Sequence, residues 1–395
     1  MLDVVVVGGG PAGSQTACQL AGLGYRVMVL EKNTEIGTKV CCTGLISQEC
    51  ISSSSVPDGI ILRSVNSARI LAPSSECLKL FRPETQACIV DRAALDRWLA
   101  NKAQSQGVEY QMNCEVEKIS FDHDRAVIEI KYRGGGPGLE ARAVVLATGY
   151  SAPLSKTLGL TPSSYFAAGV QAEVEIKETD GVEIYFGRKI APGFFAWLVP
   201  TARDKALAGL LARQSPGLYL RELISRLASQ GKIVPGEYPL HYSGIPLKPI
   251  RRTYGRRLVV VGDAAGQVKP TTGGGIYFGW ICAGIAADTL HRAFTAGDLS
   301  AKMLSRYEIE WQRRIGHELR IEYFARRFFE HLSDKQIDKL FSTLNSSGMV
   351  DSLLRQDNLS FDWHGGLMTK ILRAGIGYHA SRLLRLPRSS GADCK

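Results

Sequence analysis

Polar and apolar positions along this chain change period several times, and each change marks an element. Leu2-Asp3-Val4-Val5-Val6-Val7 is a short β-branched run closed by glycines. A run with so little alternation suits a strand buried on both faces of a parallel sheet. Pro11 to Gly22 has helical composition, and Arg26-Val27-Met28-Val29-Leu30 forms a second strand-like run. Asp91 to Lys102 reads as a helix, with Asp91 as its N-cap and Leu95, Trp98 and Leu99 on one face. Strand-like runs follow around 108–121 and 126–132, then a Gly134-Gly135-Gly136-Pro137-Gly138 loop, then Ala143 to Leu146 leading into Ala147-Thr148-Gly149. Between about 165 and 212 the period falls to two, as in Gln171-Ala172-Glu173-Val174-Glu175-Ile176. That alternation predicts an antiparallel sheet with one wet face. Buried strand character returns at Leu258-Val259-Val260-Val261, and a helix-rich region runs from about 274 to the end.

Length and composition narrow this picture little. The chain has 395 residues, enough for two or three domains, and its 45% hydrophobic and 22% charged content is that of a globular protein. Its longest candidate span, Gly273 to Ala287, is too short and glycine-rich to cross a bilayer and reads as a buried helix. The strand run directly after Met1 leaves no room for a signal peptide. The nine cysteines include no C-x-x-C pair, which argues against a zinc site or an iron–sulfur cluster and for reduced thiols in the cytoplasm; no metal is expected.

Charge adds one local feature. The net charge of +10 gathers in Lys248, Arg251, Arg252, Arg256 and Arg257, and again in Lys370, Arg373, Arg382, Arg385, Arg388 and Lys395. No nucleic-acid-binding signature accompanies these runs, so nucleic acid is not an expected partner. Leu383-Leu384-Arg385-Leu386 within the second run could lie on an anionic membrane surface or pack on its own domain.

The chemistry begins at Gly8-Gly9-Gly10-Pro11-Ala12-Gly13. Gly8, Gly10 and Gly13 fill the G-x-G-x-x-G dinucleotide fingerprint, placed between a strand and a helix. Gly8 permits the tight turn, Gly10 lets the backbone approach a pyrophosphate, and Gly13 allows close helix–strand packing. The helix N-terminus, including Ala12, then attracts the diphosphate. Glu31, followed by Lys32, ends the second strand 18 residues past Gly13, where a carboxylate can bind both hydroxyls of a ribose. The fingerprint alone serves NAD and FAD equally.

Three further segments resemble FAD enzymes of the aromatic-hydroxylase superfamily. Val90-Asp91-Arg92-Ala93-Ala94-Leu95-Asp96-Arg97-Trp98-Leu99 is similar to the helix start that supplies an arginine, here Arg92, to the flavin. Ala147-Thr148-Gly149 resembles their middle turn, and Gly262-Asp263-Ala264-Ala265 the late turn whose aspartate binds ribityl or ribose hydroxyls. Within that superfamily, Gly262 to Ile276, Lys39-Val40-Cys41-Cys42-Thr43-Gly44-Leu45-Ile46-Ser47 and Phe195-Ala196-Trp197-Leu198-Val199-Pro200 resemble the geranylgeranyl reductase family, closest to its archaeal lipid reductases. The resemblance covers roughly residues 1–290.

It implies an α/β fold. A Rossmann-like FAD-binding domain would be discontinuous, in 1–150 and 256–300. An antiparallel β-sheet substrate domain would be inserted at 151–255, with a C-terminal helical region at 301–395. It implies non-covalent FAD held by Gly8, Gly10, Ala12, Gly13, Glu31, Lys32, Cys42, Thr43, Arg92, Val116, Thr148, Gly149, Asp263, Gly274, Gly275 and Ile276. Phe195, Trp197 and Pro200 would line a substrate pocket, and Cys42 could donate a proton, shape the pocket or pack. Gly273-Gly274-Gly275 offers unhindered backbone N–H groups to the negative edge of a reduced flavin.

The implied activity is reduction of C=C bonds in a polyprenyl chain of a lipid or related isoprenoid. With only one fingerprint, the external reductant would be transiently bound NAD(P)H or a reduced redox protein. The expected location is the cytoplasm, with a peripheral place on the inner face of the membrane open. A flavin monooxygenase or halogenase on the same fold, and a non-catalytic flavoprotein electron carrier, remain open alternatives.

Overall fold

A computed structural model describes residues 1–38, 40–131, 138–150, 152–160, 165–177, 181–354, 360–363, 365–366 and 368–369. Lys39, most of the Gly134–Gly138 loop and the basic stretch 382–388 lie outside the described residues.

The first sheet has eight strands. At its centre Leu2–Val7 pairs in parallel with Val27–Leu30 on one side and Leu139–Leu146 on the other. Glu109–Gln111 adds in parallel at one edge; on the other side Leu258–Val260 adds in parallel to Leu139–Leu146, with Tyr254–Gly255 antiparallel outside it, so the strand after residue 257 completes a sheet begun at residue 2. Val4, Val5 and Val6 are fully buried, as expected for a strand covered on both faces. One cover is the helix pair Pro11–Gly22 and Ile276–Thr295. They pack closely because Gly279 and Gly284 lie against Ala12 and Gln19. The expected buried helix around 273–287 is therefore real; it starts at Ile276 and runs to Thr295. No helix among the described residues is long and apolar enough to cross a membrane.

The second sheet has seven strands, in the order His241–Pro246, Phe166–Glu175, Lys205–Ala212, Ala196–Pro200, Val182–Tyr185, Ser67–Leu71 and Cys77–Phe81. It departs from expectation in two ways. Two of its strands come from residues 67–81, ahead of the inserted segment. The joint between Val182–Tyr185 and Ser67–Leu71 is parallel, while the rest is antiparallel. Helix Pro216–Ser229 covers one face, burying Leu220, Leu223 and Leu227 among Val170, Ala172 and Leu210. The other face is left for the site.

A continuous helical rod, Ala301–Trp311 and His317–Glu330 joined through a π-helical turn at Gln312–Gly316, runs alongside. Leu304, Tyr307 and Trp311 join the first core. Helix Asp334–Ser346, started by a Ser333/Gln336 capping box, packs Ile337, Phe341 and Leu344 against Ala72 and Leu78 of the second sheet.

Candidate functional site

The glycine turn shows a separate steric reason for each glycine. Gly8 has φ +108°, and a Cβ there would sit 2.4 Å from the Ala147 carbonyl oxygen. A Cβ on Gly13 would sit 2.0 Å from the Gly8 oxygen, so only glycine lets helix and strand approach this closely. At Gly10 a Cβ would meet nothing within 4 Å: the backbone there faces open space, as a diphosphate requires. No side chain caps the helix that starts at Pro11, so its N-terminal donors face the same space. Glu31 is buried, and its carboxylate accepts hydrogen bonds from Gly9 N at 2.9 Å, Asn33 N at 2.9 Å and Asn33 Nδ2 at 2.7 Å. That aims it at the turn. Lys32 points outward and is exposed. Val116 is buried among Val5, Val7 and Leu30, two residues after Cys114, whose N–H donates to the Glu31 carbonyl.

Arg92 opens helix Arg92–Ser105, which Asp91 caps through Ala94 N at 2.9 Å. Its guanidinium is nearly buried and grips Asp96 in a two-point ion pair, 2.6 and 3.2 Å. Burial would lower its pKa; the Asp96 carboxylate, and after it the Cys42 sulfur, outweigh that and raise it. Arg92 Nε remains buried without a partner. Asp263 lies in the turn Gly262–Ala265, directly after the last buried strand. Burial pushes its carboxyl up to about 6 against the pull of Arg92. Among the described residues its carboxylate accepts no hydrogen bond, and Oδ1 sits 2.6 Å from where a Cβ on Gly275 would lie. Thr148 and Gly149 (φ +67°) close the turn beside Gly8.

From Asp263 and Arg92 the site continues onto the open face of the second sheet. Cys42 is half-buried; its Sγ accepts from Gly44 N at 3.5 Å, and its carbonyl accepts from Gln171 Nε2 at 3.4 Å. Thr43 Oγ1 accepts from Leu45 N. Neighbouring Cys41 donates to the His241 carbonyl, and burial pushes its thiol up to about 11. Gln171 shares one rung of the sheet with Gly209 and Trp197. A Cβ on Gly209 would fall 2.5 Å from Trp197 Cζ2, so the indole lies flat across that glycine. Phe195 stands beside it, 5.9 Å between ring centroids. Leu211 and Ile245 of the same face contact the position of Gly273. Gly273 and Gly274 form a tight turn closed onto Lys269, and Gly275 starts the uncapped helix at Ile276.

Asp263, Arg92, Cys42, Gln171, Trp197, Gly273 and Gly275 are therefore linked by a continuous series of contacts that runs from the first sheet to the second. Pro200 is the correction. It lies on the same strand as Trp197, but the pleat turns it, with Ala196 and Leu198, to the opposite face.

Several residues of the site were not predicted from sequence. Besides Gln171 and Gly209, Lys269 forms a buried ion pair with Asp362, 2.7 Å, directly beneath Gly274. Thr271 donates through N and Oγ1 to Glu322, which is wholly buried. Burial pushes the Glu322 carboxyl up to about 7, with Thr271 and then Lys269 opposing. A lysine inside a glycine-rich apolar stretch was a readable signal; its partner 93 residues later was not.

The diphosphate turn is open at Gly10, two helix N-termini are uncapped, and Arg92 Nε and the Asp263 carboxylate await partners. These features suit the diphosphate and sugar of a dinucleotide.

Comparison with known proteins bears on which one. The sequence profile of the pyridine nucleotide-disulphide oxidoreductase family matches residues 2–187. Digeranylgeranylglycerophospholipid reductase 2 of Methanopyrus kandleri is 31% identical over 375 residues, covering 88% of this chain and 91% of its own. The chain belongs to the geranylgeranyl reductase family of FAD-dependent oxidoreductases. A geranylgeranyl bacteriochlorophyll reductase-like protein of Thermoplasma acidophilum superposes with a TM-score of 0.85 at 22% identity, covering 97% and 98% of the two chains. A p-nitrophenol 4-monooxygenase of Pseudomonas putida shares the fold at a TM-score of 0.71 and 18% identity, covering 94% and 97%.

Proposed function

We propose that this protein saturates isolated C=C bonds in the geranylgeranyl chain of a glycerophospholipid. The carrying observation is the run of contacts that joins the glycine and Asp263 turns, through Arg92, Cys42 and Gln171, to an apolar wall of Phe195, Trp197 and Leu211. Reduced FAD, when bound there, would supply a hydride to one alkene carbon, and a proton from solvent or a side chain would complete the other. The chain's own residues do the rest. Gly8, Gly10 and Gly13 bring the backbone to the diphosphate, Glu31 takes ribose hydroxyls, and Arg92 with Asp263 fixes the ribityl and ring end. Of the three glycines, Gly273 N and Gly274 N donate to the Lys269 carbonyl and Thr272 Oγ1, which leaves the N–H of Gly275, at the uncapped start of the helix, to stabilise negative charge on the reduced ring.

An isolated alkene is a poor hydride acceptor, so water must be excluded and the carbon held close. Trp197 and Phe195 serve that purpose. Cys42, next to Arg92 and tied to Gln171, shapes the end of the groove nearest the ring. The reductant is NAD(P)H bound in passing or a reduced redox protein, because one dinucleotide fingerprint serves FAD alone. A phospholipid substrate places the protein at the cytoplasmic face of a membrane.

The test is mass spectrometry of digeranylgeranylglycerophospholipid after incubation with dithionite-reduced holo-protein. The expected result is a gain of two hydrogen atoms per double bond. No gain, or oxygen consumption stimulated by an aromatic substrate instead, would overturn the reading.

A further inference from the structure

The basic run at residues 248–257 divides in the fold. Arg256 and Arg257 are tied to the neighbouring hairpin: Arg256, itself exposed, donates to the His123 carbonyl, and half-buried Arg257 to the carbonyls of Arg142 and His123. Lys248, Arg251 and Arg252 remain exposed. They are pinned against the long helical rod by Thr253, which donates to Glu308 at 2.7 Å and accepts from Trp311 Nε1 at 2.9 Å. Lys248 lies over the Tyr323 ring at 5.6 Å.

The rod segregates its charges. Arg313, His317, Arg320, Phe324 and Arg327 recur at alternating spacings of four and three and are all exposed, so they form one stripe along the outer face. The acids of this stretch, Glu318 and Glu322, face inward and are buried. No ion pair among the described residues neutralises Arg313, Arg320, Arg327, Lys248 or Arg251. Phe324, 46% exposed, stands between Arg320 and Arg327.

We propose that this combined surface docks on an anionic lipid bilayer, with Phe324 entering the headgroup layer between flanking arginines. Unpaired cations around an exposed aromatic are the composition of an interfacial helix face. The position favours lipid over an acidic protein. Glu322, on the inner face of the same helix, holds Thr271 of the flavin-site turn, so a bilayer on the outer face comes within roughly one helix diameter, about 10–12 Å, of that turn. The proposal stands on binding alone and does not depend on which bond the enzyme reduces.

The test is flotation of the full-length, FAD-loaded protein with vesicles of phosphatidylcholine alone and of equal parts phosphatidylcholine and phosphatidylglycerol. Binding to the mixed vesicles at low salt, lost at high salt and absent with phosphatidylcholine alone, is expected. Arg320→Glu/Arg327→Glu should weaken partitioning by on the order of tenfold or more. Lys118→Glu/Lys131→Glu, two exposed lysines of the hairpin at 116–131 rather than of the rod, changes net charge equally and should leave it unaltered. Arg320→Gln/Arg327→Gln provides a milder pair, with retained flavin absorbance showing that each variant is folded. Wild-type protein that stays with the soluble fraction overturns the proposal. So does equal loss in the two reversal pairs.

Discussion

At the scale of single residues, Gly13 is the most exacting position. An added methyl would meet a backbone oxygen at 2.0 Å, and backbone cannot swing away as a side chain can. Gly13→Ala should therefore purify with little bound flavin, its FAD affinity reduced by at least about tenfold, read from the ratio of flavin to protein absorbance. Asp263 makes a pH-dependent prediction. Its carboxyl is raised from the ordinary 3.8 to about 6 in the fold. Between those values the folded state binds the proton more tightly than the unfolded chain, so stability from this group is greatest at low pH and falls as pH rises to about 6. The Tm of the flavin-free wild type should accordingly decline more steeply from acid to neutral pH than that of Asp263→Asn. An identical slope for the two would contradict the burial of this carboxylate. Gly8, Gly10, Glu31, Arg92 and Asp263 were readable because their role is encoded in spacing along a few turns of chain. Gln171 was not: it reads as one polar position in an alternating strand, and what distinguishes it is the Cys42 carbonyl, 129 residues away in sequence.

At the scale of elements, the rung Gln171–Gly209–Trp197 shapes the groove. Gly209→Ala would push a methyl into the indole and cost about 1–3 kcal/mol through overpacking. Its larger effect should be displacement of Trp197 into the groove: a shifted tryptophan emission and lower lipid turnover with flavin content unchanged. Loss of flavin in that variant would mean that the rung serves cofactor retention instead. Helices were the most legible elements, since Pro11–Gly22 and Arg92–Ser105 carry their start signals next to their apolar faces. The strands Ser67–Leu71 and Cys77–Phe81 were not legible as parts of the second sheet. Strand Ser67–Leu71 is partly buried throughout, with no strong alternation, and its parallel partner Val182–Tyr185 lies more than a hundred residues further on. Local pattern names a strand but not the sheet it joins. The same pleat that makes Trp197 and Phe195 neighbours removes Pro200 from the pocket, which a motif written as a string conceals.

At the scale of the whole molecule, the region after the last strand belongs to the site. Lys269 and Asp362 are each about 95% shielded from solvent and are compensated mainly by one another. Removing the acid in Asp362→Ala leaves a buried ammonium under Gly274 and should destabilise the protein by about 3–5 kcal/mol. Flavin dissociation should accelerate in step, measured by fluorescence recovery of released FAD; a stable variant with normal retention would show that the pair is dispensable. The first sheet carries a further consequence. Its fingerprint strand is made some 250 residues ahead of Leu258–Val260 and the helix Ile276–Thr295, which complete its sheet and cover. At a synthesis rate of about 5–20 residues per second, that interval is roughly 12–50 s. Throughout it, the valines of Leu2–Val7 form an uncovered strand on a nascent chain, and the turn that will hold the diphosphate has no second wall. Capture of the cofactor thus waits until that helix has been made, and the interval before it is when this chain most needs a chaperone.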